Sequence, residues 1–328
     1  MRASRAWASA IAAAFLAVAA MSGCSGEPSP AETTPPTLPD PHFVIDQDFP
    51  DPDVMRVGTT YYAYATNRPG ANIQFATSTN LTKWDVSTSD ALPTLPSWAA
   101  PGKTWAPDVS EFSPGHFVMY FVAASATKTQ QCIGVATSDS PKGPFEAHGD
   151  APLLCPVDEG GAIDPSTFVD TDGTRYLVFK NDGNCCGLDT WLQIAPLTAD
   201  GSALAGQPTK LIKQSEQWEG TLIEAPVLVK HADEYVLFYS ANDYGSGAYA
   251  IGYAEATSLL GPYTKHGSPL LSTLSSHGRY TGPGGQDVVR GPNGHDVLVF
   301  HSWDASMAYR GMSVLPLEWK NGKPVVHP

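Results

Sequence analysis

Charge is scarce in this sequence. Asp, Glu, Lys and Arg make up 16% of its 328 residues. Positive charge is scarcer still: 19 Lys and Arg stand against 33 Asp and Glu, a formal net charge of −14. That deficit argues against nucleic acid as a ligand, because phosphate backbones need basic patches. It is compatible with a neutral substrate such as a sugar. No Cys-x-x-Cys or His-x-x-x-His spacing occurs, so nothing suggests zinc. The apolar run at residues 11–21 is too short to span a membrane as a mature helix. What is abundant is turn chemistry, with 30 Gly and 29 Pro. Many turns and few exposed charged helices fit an all-β fold.

The first residues do not look globular. Arg2 and Arg5 precede the apolar run, and Met21-Ser22-Gly23 precede Cys24, so residues 1–23 read as an export signal. The small residues before Cys24 resemble a bacterial lipobox, which implies cleavage there and lipidation of the Cys24 thiol. The alternative is a plain cleaved signal and a freely secreted protein. Residues 24–41 are rich in Pro, Ser and Thr without apolar periodicity, and read as a flexible tether. The expected place is the cell surface or the medium, with membrane contact only through a lipid on Cys24. Export permits disulfides. Four further cysteines, Cys132, Cys155, Cys185 and Cys186, allow three pairings. The favoured one joins Cys132 to Cys155 and makes an adjacent Cys185–Cys186 bridge.

Residues 42–328 remain as one large domain, and they repeat. Pro52, Pro107, Pro165, Pro226 and Pro283 each precede a strand-like run, a Gly-, Asp- or Asn-rich turn and an aromatic strand. Their separations are 55, 58, 61 and 57 residues. Second halves repeat too, as in "IQFATSTNLTKWDV" and "IGVATSDSPKGPFEA". Units of about four antiparallel strands, five times over, predict a five-bladed β-propeller. A two-sheet sandwich would not predict a fivefold repeat. The segment "HFVID" at residues 42–46 is a candidate to join the last blade and close the ring.

In a propeller the first strand of each blade lines the channel, and the five strand starts meet at one end. Residues before the aligned prolines then form a ring: Asp51, Ala106, Asp164, Ala225 (with Glu224 before it) and Gly282. Three units thus bring a carboxylate to one small volume. Clustered like charges raise one another's pKa, so such a cluster calls for a purpose. Inverting glycosidases need this set: a base that activates water and an acid that protonates the leaving oxygen, roughly 6.5–9.5 Å apart. A third acid can hold the pair in the right protonation states. The structural alternative applies to any single Asp-Pro, which is a common turn. Asp53 and Asp108 both follow an aligned proline and look structural.

At these residues the sequence resembles glycoside hydrolase family 43, whose members are five-bladed β-propellers acting with inversion on arabinose- and xylose-containing chains. The resemblance runs from residue 43 to the end. "PDPDV" is similar to the first-blade motif and implies Asp51 as general base. "AIDPSTFVD" is similar to the third-blade motif and implies that Asp164 tunes and orients the acid. "IEAPVLVK" is similar to the fourth-blade motif and implies Glu224 as general acid. "TWAPDV" and "LVFHSWD…YRGMSVLPLEW" resemble the second and last blades. Blade five departs from the pattern: Gly285 and Gln286 stand where many members carry a His that helps hold a channel metal. No cofactor is therefore required, and a calcium or sodium ion in the channel is in doubt.

Sugar sites also need aromatic platforms and hydrogen-bond donors. Trp105, His301, Gln286 and Tyr244 are the candidate contacts, with Trp303 and Trp191 behind them; rim or core packing is the alternative for each. "CCG", "WEGTLIEAP" and "TGPGGQDVV" look more like the exo-acting arabinofuranosidase branches than the endo-arabinanases. The expected activity is removal of terminal α-L-arabinofuranosyl residues by a monomer acting on a neutral pentose-containing saccharide. A β-xylosidase, a galactofuranosidase and a non-catalytic sugar-binding propeller are the alternatives.

Overall fold

The computed structural model describes residues 43–127 and 129–328. The export signal, the tether, Cys24 and His42 lie outside the described residues. Among those described, three short 3-10 turns are the only helical elements. None is long and apolar enough to cross a membrane.

The strands form five antiparallel sheets arranged as a five-bladed β-propeller. Each sheet is a meander in chain order. The inner strands are Asp53–Val57, Ala99–Ser113, Ala162–Val169, Ile223–His231 and Thr281–Arg290. The fourth blade carries an extra short strand, Leu271–Ser272, paired with Ala250–Ala256.

The second strand of each blade explains the packing. Successive side chains on a strand point to opposite faces. Both faces are buried here, so these strands read as near-continuous apolar runs. In His116–Ser125, Met119 and Phe121 pack toward blade one while Val118 and Tyr120 pack toward blade three. In Glu234–Ala241, Leu237 and Tyr239 face blade three while Val236 and Phe238 face blade five. Val299 of blade five meets Tyr61 and Ala63 of blade one. Five apolar clusters result, one at each blade interface. The extended residues after His42 help close the ring: Ile45 bridges Met312 of blade five, and the Phe49 N–H donates to the Arg310 carbonyl at 2.9 Å.

The inner strands are joined across blades by carboxylates. Asp53 accepts the Val109 N–H at 2.9 Å, Asp108 accepts that of Thr167 at 2.8 Å, and Asp287 accepts that of Val54 at 2.8 Å. Asp53 and Asp108 therefore hold the repeated structural place expected of them, and Asp287 is the third member. Burial raises all three. Asp53 lies well above the usual carboxylate range, with Asp108 and Asp287 adding to the effect of burial. Burial likewise carries Asp108 to about 7 and Asp287 to about 6.

These shifts set a pH dependence of stability. The folded pKa values exceed the unfolded ones, so the native state holds protons that the unfolded chain releases. Stability from this cluster is present at low pH and is lost as pH rises toward about 7. Asn in place of Asp108 keeps an acceptor for Thr167 and removes the charge at the buried Oδ2, which has no partner. The stability of Asp108→Asn relative to wild type should therefore increase between about pH 4 and pH 7. Thermal melts across that range check it, and a difference independent of pH contradicts it.

Candidate active site

The residue before each aligned proline has a left-handed backbone. Asp51, Ala106, Asp164, Ala225 and Gly282 have φ of 54°, 37°, 54°, 50° and 56°. Non-glycine residues rarely adopt such angles. Ladder register shifts accompany these positions in blades two, three, four and five. A left-handed residue in a bulge re-aims its side chain, here toward the channel mouth.

Blade five differs from the sequence alignment. The N–H of Asp51 donates to His301 Nδ1, that of Ala106 to Thr66 Oγ1, and that of Gly285 to Ser240 Oγ. Each acceptor sits at the second strand of the preceding blade. Gly285, at φ 54°, is thus the counterpart of Asp51, and Asp287 that of Asp53. Gly282 stands three residues too early, because the strand Thr281–Arg290 carries two register shifts. A Cβ on Gly285 would lie 2.5 Å from the His301 ring and 2.8 Å from Asp51 Oδ1, so only glycine fits.

A cavity of about 630 Å³ opens over this ring, and Asp51, Asp164 and Glu224 all line it. Their surroundings differ. Asp51 Oδ2 accepts the Thr66 hydroxyl at 2.7 Å, and Arg310 reaches Oδ1 at 3.4 Å. Burial pushes Asp51 up, but the Arg310 charge and the Thr66 hydroxyl oppose it, and its pKa lies below the usual value. His301 is itself pushed down to about 3, chiefly by burial and then by Arg310, so it is neutral. Asp164 goes the other way, to about 8, through burial and the neighbouring Glu224 charge, against the pull of Lys180. Its Oδ2 accepts the Ala225 N–H at 2.9 Å, which ties it to the peptide that follows Glu224.

Glu224 accepts the Tyr249 hydroxyl at 2.8 Å through Oε1 and touches Lys180 Nζ at 3.4 Å through Oε2. The Tyr249 ring stacks on His301 with centroids 5.9 Å apart. One continuous support therefore runs from Glu224 through Tyr249 and His301 to Asp51. Lys180 is fully buried, and Asp182 Oδ1 at 3.5 Å shares its charge with Glu224. Three carboxylates in three electrostatic settings can divide acid and base work between them.

The other expected site residues fall into place unevenly. Trp105 and Tyr244 line the cavity. Tyr244 is 52% exposed and carries the Arg310 guanidinium 4.9 Å from its ring centroid. The Trp303 indole N–H donates to the Tyr244 carbonyl at 2.8 Å. Gln286 lines the wall, but its amide links Ser240 Oγ to the Ala225 carbonyl. His301 has no exposed surface and lies beneath Asp51 as a support. Trp191 is not part of the cavity wall; Lys210 and Lys213 each stand 5.5 Å from its ring. The sulfurs of Cys132 and Cys155 are bonded, as are those of Cys185 and Cys186.

Thr66, Lys180, Tyr249 and Arg310 escaped the sequence reading. Lys180 left a signal, a lone charge ending the apolar strand "YLVFK". No comparable signal marks Tyr249, one aromatic among 13 tyrosines. As for a metal, no three His, Cys, Asp or Glu side chains among the described residues converge to hold one. Asp53, Asp108 and Asp287 each accept a backbone N–H from a neighbouring inner strand.

Comparison with known proteins agrees with this geometry. The model of the glycosyl hydrolases family 43 matches residues 41–324. An extracellular endo-α-(1→5)-L-arabinanase of Bacillus subtilis is 28% identical, over 84% of this chain and 86% of its own. An extracellular exo-α-(1→5)-L-arabinofuranosidase of Cellvibrio japonicus is 26% identical, over 83% of this chain and 84% of its own. The crystal structure of a thermostable family-43 glycoside hydrolase superposes with a TM-score of 0.76 at 30% identity, covering 86% of this chain and 93% of that one. With the family model spanning the whole propeller, the chain belongs to glycosyl hydrolase family 43.

Proposed function

We propose that this protein removes terminal α-L-arabinofuranosyl residues from arabinan or arabino-oligosaccharides with inversion at the anomeric carbon. The observation that carries the assignment of roles is the opposite tuning of Asp51 and Asp164 in one cavity. Asp51, held ionised by Arg310 and Thr66, takes a proton from a water that attacks the anomeric carbon. The Asp164–Glu224 pair holds a proton below about pH 8, and Glu224 delivers it to the glycosidic oxygen as the bond from that oxygen to the anomeric carbon breaks. Asp164 also anchors the following peptide through Ala225. The exo reading is favoured by the likeness to the Cellvibrio exo-enzyme. The likeness to the Bacillus endo-enzyme favours a second reading, attack within the chain.

Linear arabinan separates the two readings: release of arabinose alone supports the exo reading, and early mixed oligosaccharides overturn it. p-Nitrophenyl arabinofuranoside, xyloside and galactofuranoside test the sugar. Export is part of the same proposal, supported by relatives named extracellular. A diacylglyceryl mass on a mature chain that starts at Cys24 tests the anchor.

Glu224→Gln and Asp51→Asn should each lower kcat by about 10²–10⁴-fold, the scale of general acid or base catalysis, with melting temperature little changed. Near-full activity in either variant would remove that residue from its role.

The pH profile offers a separate check. Asp51, with its lowered pKa, stays ionised through neutral pH, while Asp164 holds its proton only below about 8. The kcat/KM of the free enzyme should therefore fall as pH rises through about 8. Asp164→Asn cannot ionise, so it should displace that alkaline limb. A limb left in place by this variant would assign it to another group.

A further inference from the structure

The insert between the second and third strands of blade three has no part in the acid–base chemistry, yet it reaches the cavity. Its 3-10 turn Gly183–Cys186 ends in the bonded pair Cys185–Cys186. Residues 184–189 are exposed, while both ends of the insert are tied down. Asn181 Nδ2 donates to the carbonyls of Glu159 and Asp189 at 3.0 and 3.1 Å, and Asn181 Oδ1 accepts the Trp191 N–H at 2.5 Å. The chain also passes close to Gly160, where a Cβ would stand 2.4 Å from the Asp182 carbonyl oxygen. The base is held and the tip is presented, with Asn184 and Cys185 on the cavity wall.

The side of the cavity on which this tip stands follows from one ammonium. Lys180 Nζ donates to Asn184 Oδ1 at 2.6 Å and touches Glu224 Oε2 at 3.4 Å. Asn184 and the Glu224 carboxylate are therefore neighbours across a single buried cation. Asp51 is held elsewhere, by Arg310, Thr66 and His301. In an inverting reaction the acid sits on the side of the departing group and the base on the opposite side of the ring. The turn thus borders the departing group.

We propose that the turn Gly183–Cys186 is the contact surface for the sugar unit that leaves, the first residue on the acceptor side of the cleaved bond. Cys185 of the bonded pair stands on the wall, and a bonded sulfur is polarizable with little hydrogen-bonding capacity, suited to the C–H face of a sugar ring through dispersion. The bond between adjacent cysteines also restricts the turn, so that Asn184 stays on Lys180. The turn acts on selectivity for the acceptor; it takes no proton and forms no bond to substrate. This inference rests on the arabinofuranosyl reading above.

The test compares two substrates that differ only on the acceptor side. Arabinotriose places a sugar against the turn, whereas α-L-arabinofuranosyl fluoride leaves a single atom there and needs little protonation. In Cys185→Ser/Cys186→Ser, the ratio of kcat/KM on arabinotriose to that on the fluoride should fall about tenfold, the scale of one apolar contact, mostly through KM. Asn184→Ala, which keeps both sulfurs, should lower the same ratio. An unchanged ratio in both variants, whether activity is kept or lost equally on the two substrates, overturns the inference. A wild-type enzyme inactive on both substrates would overturn the arabinofuranosyl reading and this inference with it. Wild-type activity with unchanged variant ratios overturns this inference alone.

Discussion

The left-handed residue at the start of each inner strand is the constraint on which the rest depends. Four of the positions are filled by Asp51, Ala106, Asp164 and Ala225, none of them glycine. Each costs roughly 1–3 kcal/mol of backbone strain, and the five interblade cores offset that cost. The geometry turns successive inner-strand residues toward the same mouth of the channel. It also leaves their N–H groups pointing at the preceding blade, where His301, Thr66 and Ser240 receive three of them. The same residues that hold the blades together therefore aim the carboxylates.

Electrostatics then sorts what geometry has gathered. Asp51 and Asp164 occupy the same place in their blades and the same backbone conformation. What separates them is the company each keeps. Arg310 comes from the third strand of blade five, and its charge overcomes the cost of burying Asp51. Asp164 has the Glu224 carboxylate beside it, and Lys180 does not make up the difference. Lys180 in turn would be costly to bury alone; Glu224, Asp182 and Asn184 together satisfy it. Tyr249 and His301 couple the two sides mechanically, since moving either ring disturbs a hydrogen bond to one of the acids.

Asp53, Asp108 and Asp287 show how alike a carboxylate that joins inner strands and a candidate catalytic one look in sequence. Asp51 and Asp53 are two residues apart in "FPDPDV". Both line the cavity, but Asp53 accepts the Val109 N–H of the next inner strand, whereas Asp51 accepts the Thr66 hydroxyl and lies beside Arg310. The repeat distinguishes them, because Asp108 occupies the place of Asp53 while Ala106 occupies the place of Asp51.

The sequence by itself determined the propeller, its five units and the ring of strand starts, because turns and two-sided apolar strands are local patterns that recur at even spacing. It also marked Asp51 and Asp164, since a carboxylate in a repeat that elsewhere tolerates alanine is visible without coordinates, and it marked Glu224, one residue ahead of the repeat position, through the fourth-blade motif. Only the tertiary structure decided the register of blade five, where two register shifts lie in the inner strand and the matching position is Gly285 rather than Gly282. Only it paired Arg310 with Asp51, Tyr249 with Glu224 and Lys180 with Glu224. Those contacts join residues from different strands or blades and depend on distances that no local pattern encodes. The same reason places His301 beneath Asp51: burial is a property of the closed ring, not of the strand that carries it.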